Sequence, residues 1–227
     1  MQQQPHTTVP GIVIEDPLAH LPVSGIAEYH KGTVIYGPET APTSLYVVLA
    51  GKVKMCRTAP GGLQVVLDVY QTDEFFGESS LVGGSTNESA VSLENARVMS
   101  WTASEIQEIV LKRPDLGLAL LQLSIMRTID FGKRIESFSL DNIEHRLISA
   151  LLRFADRLGT PADDGGREMI AFTHELLSQH VGTSREIVTH YMNYFRRRGA
   201  LRYSRKSIVV FEDALRNLTA NDIPAAA

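Results

Sequence analysis

The run of residues 114–138 most limits what this chain can fold into. Its apolar residues recur at helical spacing, and Pro114 suits a first helical position, where its missing N–H would be unpaired in any case. One continuous helix of this length is about 37 Å long. Leu116, Leu120 and Leu123 make one stripe along it; Leu118, Leu121, Ile125, Ile129 and Ile135 make a second. A helix that covers a single core needs one stripe. Two stripes predict that one face packs on the helix's own domain and the other on a partner chain, as in a coiled coil, so a homodimer is expected. A helix buried in the middle of one domain is the alternative.

The flanks differ in kind. Residues 20–113 read as a β domain. Short apolar runs at 34–36, 45–49, 53–55, 65–70 and 91–101 alternate with turn formers such as Gly37-Pro38, Gly51 and Pro60-Gly61-Gly62. Many short strands at regular spacing indicate a barrel or sandwich. Residues 139–215 read as helix, helix, helix, hairpin. Asp141 is the expected cap of a helix to about Leu158, and 159–166 is a turn-rich loop. Thr173 and Ser184 each precede a helical segment as expected N-caps, and Gly182 breaks the chain between them. Residues 201–203 and 207–211 flank the polar turn Ser204-Arg205-Lys206 as a small wing. The ends, 1–19 and 216–227, are expected to be a disordered segment and a tail. The fold class is thus α+β in three sections: β domain, long helix, helical domain with a wing.

The segment 173–192 has helix-turn-helix spacing. Its first helix buries Leu176, Leu177 and Val181; its second is expected to turn Ile187, Val188, Tyr191 and Phe195 inward. That leaves Arg185, Glu186, Thr189, His190 and Asn193 outward, toward the N-terminal half with which a recognition helix reads base edges in the major groove. Arg can grip guanine O6 and N7 with two bonds, and Glu can accept from cytosine N4. The net charge of the 227 residues is −4, yet residues 174–210 carry seven basic side chains against two acidic ones, a local +5. A basic patch on an acidic body is the electrostatic footprint of a nucleic-acid-binding module joined to another domain.

In this stretch the sequence resembles the CRP/FNR superfamily of bacterial regulators. The resemblance spans roughly residues 25–212. It is carried by Val-Gly-Thr-Ser-Arg-Glu-Ile-Val at 181–188, Lys-Ser-Ile-Val-Val at 206–210, Arg-Pro-Asp-Leu at 113–116 and Phe-Phe-Gly-Glu at 75–78. It implies a β-roll sensor of the cyclic-nucleotide-binding type (a double-stranded β-helix), a dimer helix and a C-terminal winged helix-turn-helix. A homodimer would then bind a palindromic promoter site on double-stranded DNA and work with RNA polymerase. By position, Arg185 and Glu186 match the family's base-reading pair. Thr173, Ser184 and Lys206 match backbone-contacting positions, and Thr183, Thr189 and Asn193 complete the expected interface. His190 stands where the cAMP receptor carries a second base-contacting Arg. The pocket departs further. The expected pocket residues are Gly77, Glu78, Ser79, Glu88, Ser89 and Ala90, with Phe131 and Gly132 replacing polar base-contacting positions on the long helix. Residue 88, ten after the Glu of Phe-Gly-Glu, is Glu where the cAMP cassette places a phosphate-pairing Arg. A carboxylate there repels a phosphate. Control by cAMP is therefore not expected; a vestigial pocket, or a different neutral or cationic effector, is.

Other classes are less well supported by the residues. Among His145, His174, His180 and His190 no HExxH spacing occurs, and no P-loop, nucleophile elbow or paired-carboxylate motif is present, so no enzyme is expected. One cysteine, Cys56, excludes an internal disulfide and a cysteine-ligated cluster, and fits a reducing cytoplasm. No metal or cofactor is expected. A haem sensor would draw on Cys56 and His30, and a ligand-binding module without DNA binding is the remaining alternative. No apolar run approaches the ~20 residues of a membrane span, so no membrane association is expected.

Overall fold

The computed structural model describes residues 14–37, 42–83 and 87–220. Residues 1–13 of the expected disordered start and 221–227 of the expected tail lie outside the described residues. Residues Pro17–His20 form a short 3-10 turn capped by Asp16. The chain divides into two compact units. The first comprises the described residues of Met1–Thr58 and Asp68–Lys133; the second comprises Ala59–Leu67 and the described residues of Arg134–Ala227.

The first unit holds most of two four-stranded antiparallel sheets. Their strands are β1 (Gly25–Tyr29), β2 (Val34–Tyr36), β3 (Ser44–Ala50), β4 (Val53–Thr58), β5 (Gln64–Tyr70), β6 (Phe75–Phe76), β7 (Glu88–Ser92) and β8 (Ala96–Thr102). One sheet runs β1-β8-β3-β6 and the other β2-β7-β4-β5. The apolar run 91–101, expected as one strand, is two, and they sit in different sheets. The polar pair Glu94-Asn95 makes the break, with the Asn95 side chain accepting from the Lys31 N–H at 3.0 Å. Leu45, Val47, Phe75, Trp101 and Ile106 form a buried core. The Trp101 indole N–H, enclosed there, donates to the Pro22 carbonyl at 2.9 Å. Helix α1 (Ala103–Lys112) follows directly from β8, started by a reciprocal capping box between Thr102 and Glu105.

Helix α2 (Pro114–Leu140) extends two residues beyond the expected end. Leu116 is fully buried, and Leu120 and Leu123 pack against the core just described. The other stripe is bare: Leu118, Leu121, Ile125, Ile129 and Ile135 are all at least half exposed.

In the second unit, α3 (Ile143–Leu158) is capped by Asn142, whose side chain accepts from the His145 N–H at 2.8 Å. Asp141, the expected cap, instead takes a hydrogen bond from the Ser137 hydroxyl one turn back on α2. The expected loop at 159–166 contains strand β9 (Thr160–Pro161), paired with β10 (Arg167–Ile170). Helices α4 (His174–Val181) and α5 (Arg185–Arg197) follow. Strands β11 (Leu201–Tyr203) and β12 (Ser207–Val210) complete a sheet of order β11-β12-β10-β9, so the expected two-stranded wing is the edge of a larger sheet. Helix α6 (Glu212–Ala220) begins before the stretch read as a tail and takes in its residues 216–220. Leu147, Leu151 and Phe154 of α3, Leu177 of α4, Val188, Met192 and Phe195 of α5, Ile208 of β12 and Leu215 of α6 are buried together in this unit's interior.

Candidate nucleic-acid interface and sensor pocket

Three local devices place α4 and α5. The Thr173 hydroxyl accepts from the Leu176 N–H at 3.0 Å and starts α4. Gly182 ends it in the left-handed region, at φ 70°, where a Cβ would also stand 3.0 Å from the Phe138 ring. Both constraints call for glycine. The Ser184 hydroxyl accepts from the Ile187 N–H at 3.3 Å and starts α5. From that cap the inward positions fall at 188, 192 and 195, the spacing of a single helical stripe. Val188, Met192 and Phe195 are accordingly buried, while Ile187, expected inside, is 37% exposed, and Tyr191 is half-buried.

The opposite face of α5 presents Arg185, Glu186 and His190 to solvent. Hydrogen bonds from its own backbone N–H and from Ser184 hold the Glu186 carboxyl below its usual value, so it is a carboxylate at neutral pH. Thr183 is half-buried in the turn before the cap. Thr189 and Asn193 are half-buried and engaged: the Thr189 hydroxyl donates to the Arg185 carbonyl at 2.8 Å, and Asn193 Oδ1 accepts from the Tyr203 hydroxyl at 3.2 Å. In the wing turn, Ser204 Oγ accepts from the N–H groups of Lys206 and Ser207 at 3.1 and 3.2 Å, leaving Lys206 and Arg205 exposed at its tip. Arg196 lies over the Tyr203 ring at 5.3 Å and Arg198 over Tyr194 at 5.4 Å. Arg202 pairs with Asp164, a neutralisation that counting charge along the sequence does not reveal.

In the first unit, Gly77 is also left-handed, φ 83°, and a Cβ there would meet the Ser44 carbonyl oxygen and the Tyr46 ring at 2.8 Å. This tight turn delivers Glu78, which forms an ion pair with Arg127 of α2. The same guanidinium donates to the Phe75 carbonyl and lies 4.9 Å over the Tyr70 ring. Glu88, on β7, accepts from the Ser79 hydroxyl at 2.8 Å, and Ser89 and Ala90 beside it are buried. Nearly parallel rings of Tyr46 and Phe76, 5.0 Å apart, stack with Tyr36 and Tyr70 in the same region. Burial, and after it the Glu88 charge, keeps the Tyr36 phenol protonated far above the usual range. Phe131 and Gly132 are exposed on α2, about one turn beyond Arg127, a residue that spacing along the chain does not single out. Cys56 is buried, and that burial pushes its thiol up; His30 is exposed at the end of β1. Among the described residues no three or more His, Cys, Asp or Glu converge as metal ligands, and no helix is long and apolar enough to cross a membrane.

Comparison with known proteins matches both units. The cyclic nucleotide-binding domain family matches residues 26–113, and the Crp-like helix-turn-helix domain family matches residues 145–218. The chain is 27% identical over 184 residues to a CRP-like cAMP-activated global transcriptional regulator of Mycobacterium tuberculosis, covering 81% of this chain and 82% of that protein. It is 25% identical over 188 residues to the global nitrogen regulator of a Synechocystis strain, covering 82% and 84%. The structure of FixK2 from Bradyrhizobium japonicum superposes with a TM-score of 0.77 at 19% identity, over 90% of this chain and 100% of that one. With a sensor-type β domain, a helix-turn-helix with its wing, and relatives that match both in order, the chain belongs to the CRP/FNR family of DNA-binding transcription regulators.

Proposed function

We propose that two copies of this chain associate through α2 and read an inverted repeat in promoter DNA without control by cAMP, acting by binding rather than by catalysis. The observation that carries this reading is the solvent-facing pair Arg185 and Glu186 on the first turn of α5, behind the Ser184 cap. Arg185 can donate two bonds to a guanine edge and Glu186 accept from cytosine. Thr173, Thr183, Ser184 and Lys206 contact the phosphate backbone and position the helix without carrying sequence information. The exposed Leu118, Leu121, Ile125, Ile129 and Ile135 are a contiguous apolar face of the kind that marks an interface between chains.

The pocket does not suit a cyclic nucleotide. Its two acids are already engaged, Glu78 by Arg127 and Glu88 by Ser79, and a phosphate beside Glu88 would meet like charge. In this reading the sensor domain holds its own ion pair where an effector would bind, and the dimer meets DNA and RNA polymerase in the cytoplasm without a small-molecule signal.

Titration of fluorescent duplexes tests the assignment. Two recognition helices related by a two-fold axis fit half-sites about 34 Å apart. An inverted repeat selected from random DNA should therefore bind far more tightly than a single half-site. Equal affinity for the two would reject a dimeric reader.

A further inference from the structure

His174, at the start of α4, faces the recognition helix. Its Nδ1 lies 2.8 Å from the Thr189 hydroxyl oxygen. That hydroxyl has one proton, which it donates to the Arg185 carbonyl one turn back. Toward His174 it can only accept, so Nδ1 carries the hydrogen. Burial, and after it the Arg185 charge, pushes His174 below the ordinary histidine value, so the ring is neutral at pH 7. The ring also meets Tyr203 edge-on, at 6.1 Å and 78°, and Tyr203 in turn donates to Asn193. Two half-buried residues of α5, one turn apart, are thus held from α4 and from the wing.

Threonine inside a helix divides between two χ1 wells, because its hydroxyl can bond back to a carbonyl of the preceding turn. A donor on α4 selects one of them. Arg185 is the charged group that acts on His174, and Arg196 lies over the Tyr203 ring. The donor at Thr189 is nevertheless His174.

We propose that His174 is a positioning residue for base recognition, which fixes the Thr189 side chain so that the middle of α5 presents one polar surface to the groove. This rests on α5 being the recognition helix. It differs from a phosphate contact, which would strengthen binding to every sequence alike.

The isosteres separate the two. An asparagine amide nitrogen falls near Nδ1, and a glutamine amide nitrogen near Nε2, so His174→Asn keeps the donor that His174→Gln loses. Binding selection on random DNA is run with wild type, Thr189→Ala, His174→Gln, His174→Asn and the double variant Thr189→Ala/His174→Gln. Thermal unfolding checks that each is folded. His174→Gln should lose about fivefold in stringency, the worth of one net hydrogen bond, at the base pair that Thr189→Ala relaxes. His174→Asn should keep it, and the double variant should be no worse there than Thr189→Ala. Should His174→Gln not fold, Thr189→Val removes the same bond from the other side and should relax the same base pair. Unchanged stringency in His174→Gln, uniform weakening on all sequences, or no base pair relaxed by Thr189→Ala would each overturn the proposal. Wild type that enriches no motif at all would remove the DNA-reading assignment and the brace with it.

Discussion

Replacing Arg127 by methionine removes the cation paired with Glu78, the pair proposed to fill the effector site, while keeping much of the side chain's length. In the wild type its guanidinium pairs with Glu78, donates to the Phe75 carbonyl and covers Tyr70. Removing one partner of a fully buried ion pair costs about 3–5 kcal/mol, because the other charge is left desolvated. An exposed pair is worth up to about 1 kcal/mol. The side chains of Arg127 and Glu78 are 22% and 24% exposed, so the pair lies between these limits. We expect a loss of about 2 kcal/mol, with the unpaired Phe75 carbonyl contributing part of it. At a urea dependence of about 2 kcal/mol per molar, the unfolding midpoint moves down by about 1 M. Trp101 is the sole tryptophan and is buried in the core of the same unit, so its fluorescence reports this transition directly. Protomer concentration is held fixed, since association shifts apparent stability. Glu78→Gln in the Arg127→Met background relieves the stranded charge and should restore more than half of the loss. An unchanged midpoint for Arg127→Met, or a double variant as unstable as the single one, would refute the claim that this ion pair fills the pocket.

Three further outcomes follow from the same geometry. Leu121→Asp combined with Ile125→Asp places two charges on the bare stripe of α2 and should give monomers by light scattering; a retained dimer would move the interface elsewhere. If the proposed reading holds, isothermal calorimetry with millimolar cAMP should register no heat, because Glu78 and Glu88 are engaged by Arg127 and Ser79 and a phosphate beside Glu88 would meet like charge; saturable binding at micromolar cAMP would contradict it. Gly182→Ala forces a side chain into the left-handed region against the Phe138 ring and should destabilise the helix-turn-helix unit by about 1–2 kcal/mol, read as a lower midpoint by circular dichroism; wild-type stability would show that the turn has an unstrained alternative.

Local rules suffice where the determining contact is local. The two stripes on α2 are a matter of helical spacing, and Leu116, Leu120 and Leu123 are indeed the ones that pack. Thr173 and Ser184 cap the helices that follow them because their hydroxyls reach N–H groups three residues on. The same rule, applied one residue early, puts the α3 cap on Asp141; Asn142 holds it because Asp141 is engaged with Ser137. Ile187 departs from its expected place because two adjacent residues, 187 and 188, cannot both sit on one narrow stripe, and the buried set 188, 192 and 195 chooses between them. What is illegible depends on tertiary partners. Arg127 and Glu78 are 49 residues apart in sequence, and nothing in the spacing of either announces the other. Sequence offers His174 only as one of several histidines without a metal-binding spacing, whereas its partner is a hydroxyl on the next helix. Strands β9 and β10 are two and four residues long, too short for alternation to register, and they are defined by pairing with each other and with β12.

The central claim is that Arg185 reads sequence while the wing only positions the protein. Binding selection on random DNA with wild type, Arg185→Ala and Lys206→Ala measures it most directly. Arg185→Ala should relax preference at one base pair in each half-site, at a cost of about 1–3 kcal/mol for each. Lys206→Ala should leave the motif intact, weaken all sequences alike and flatten the salt dependence by about one unit for each phosphate that is no longer neutralised. An Arg185→Ala variant that enriches the wild-type motif with wild-type stringency would contradict the account.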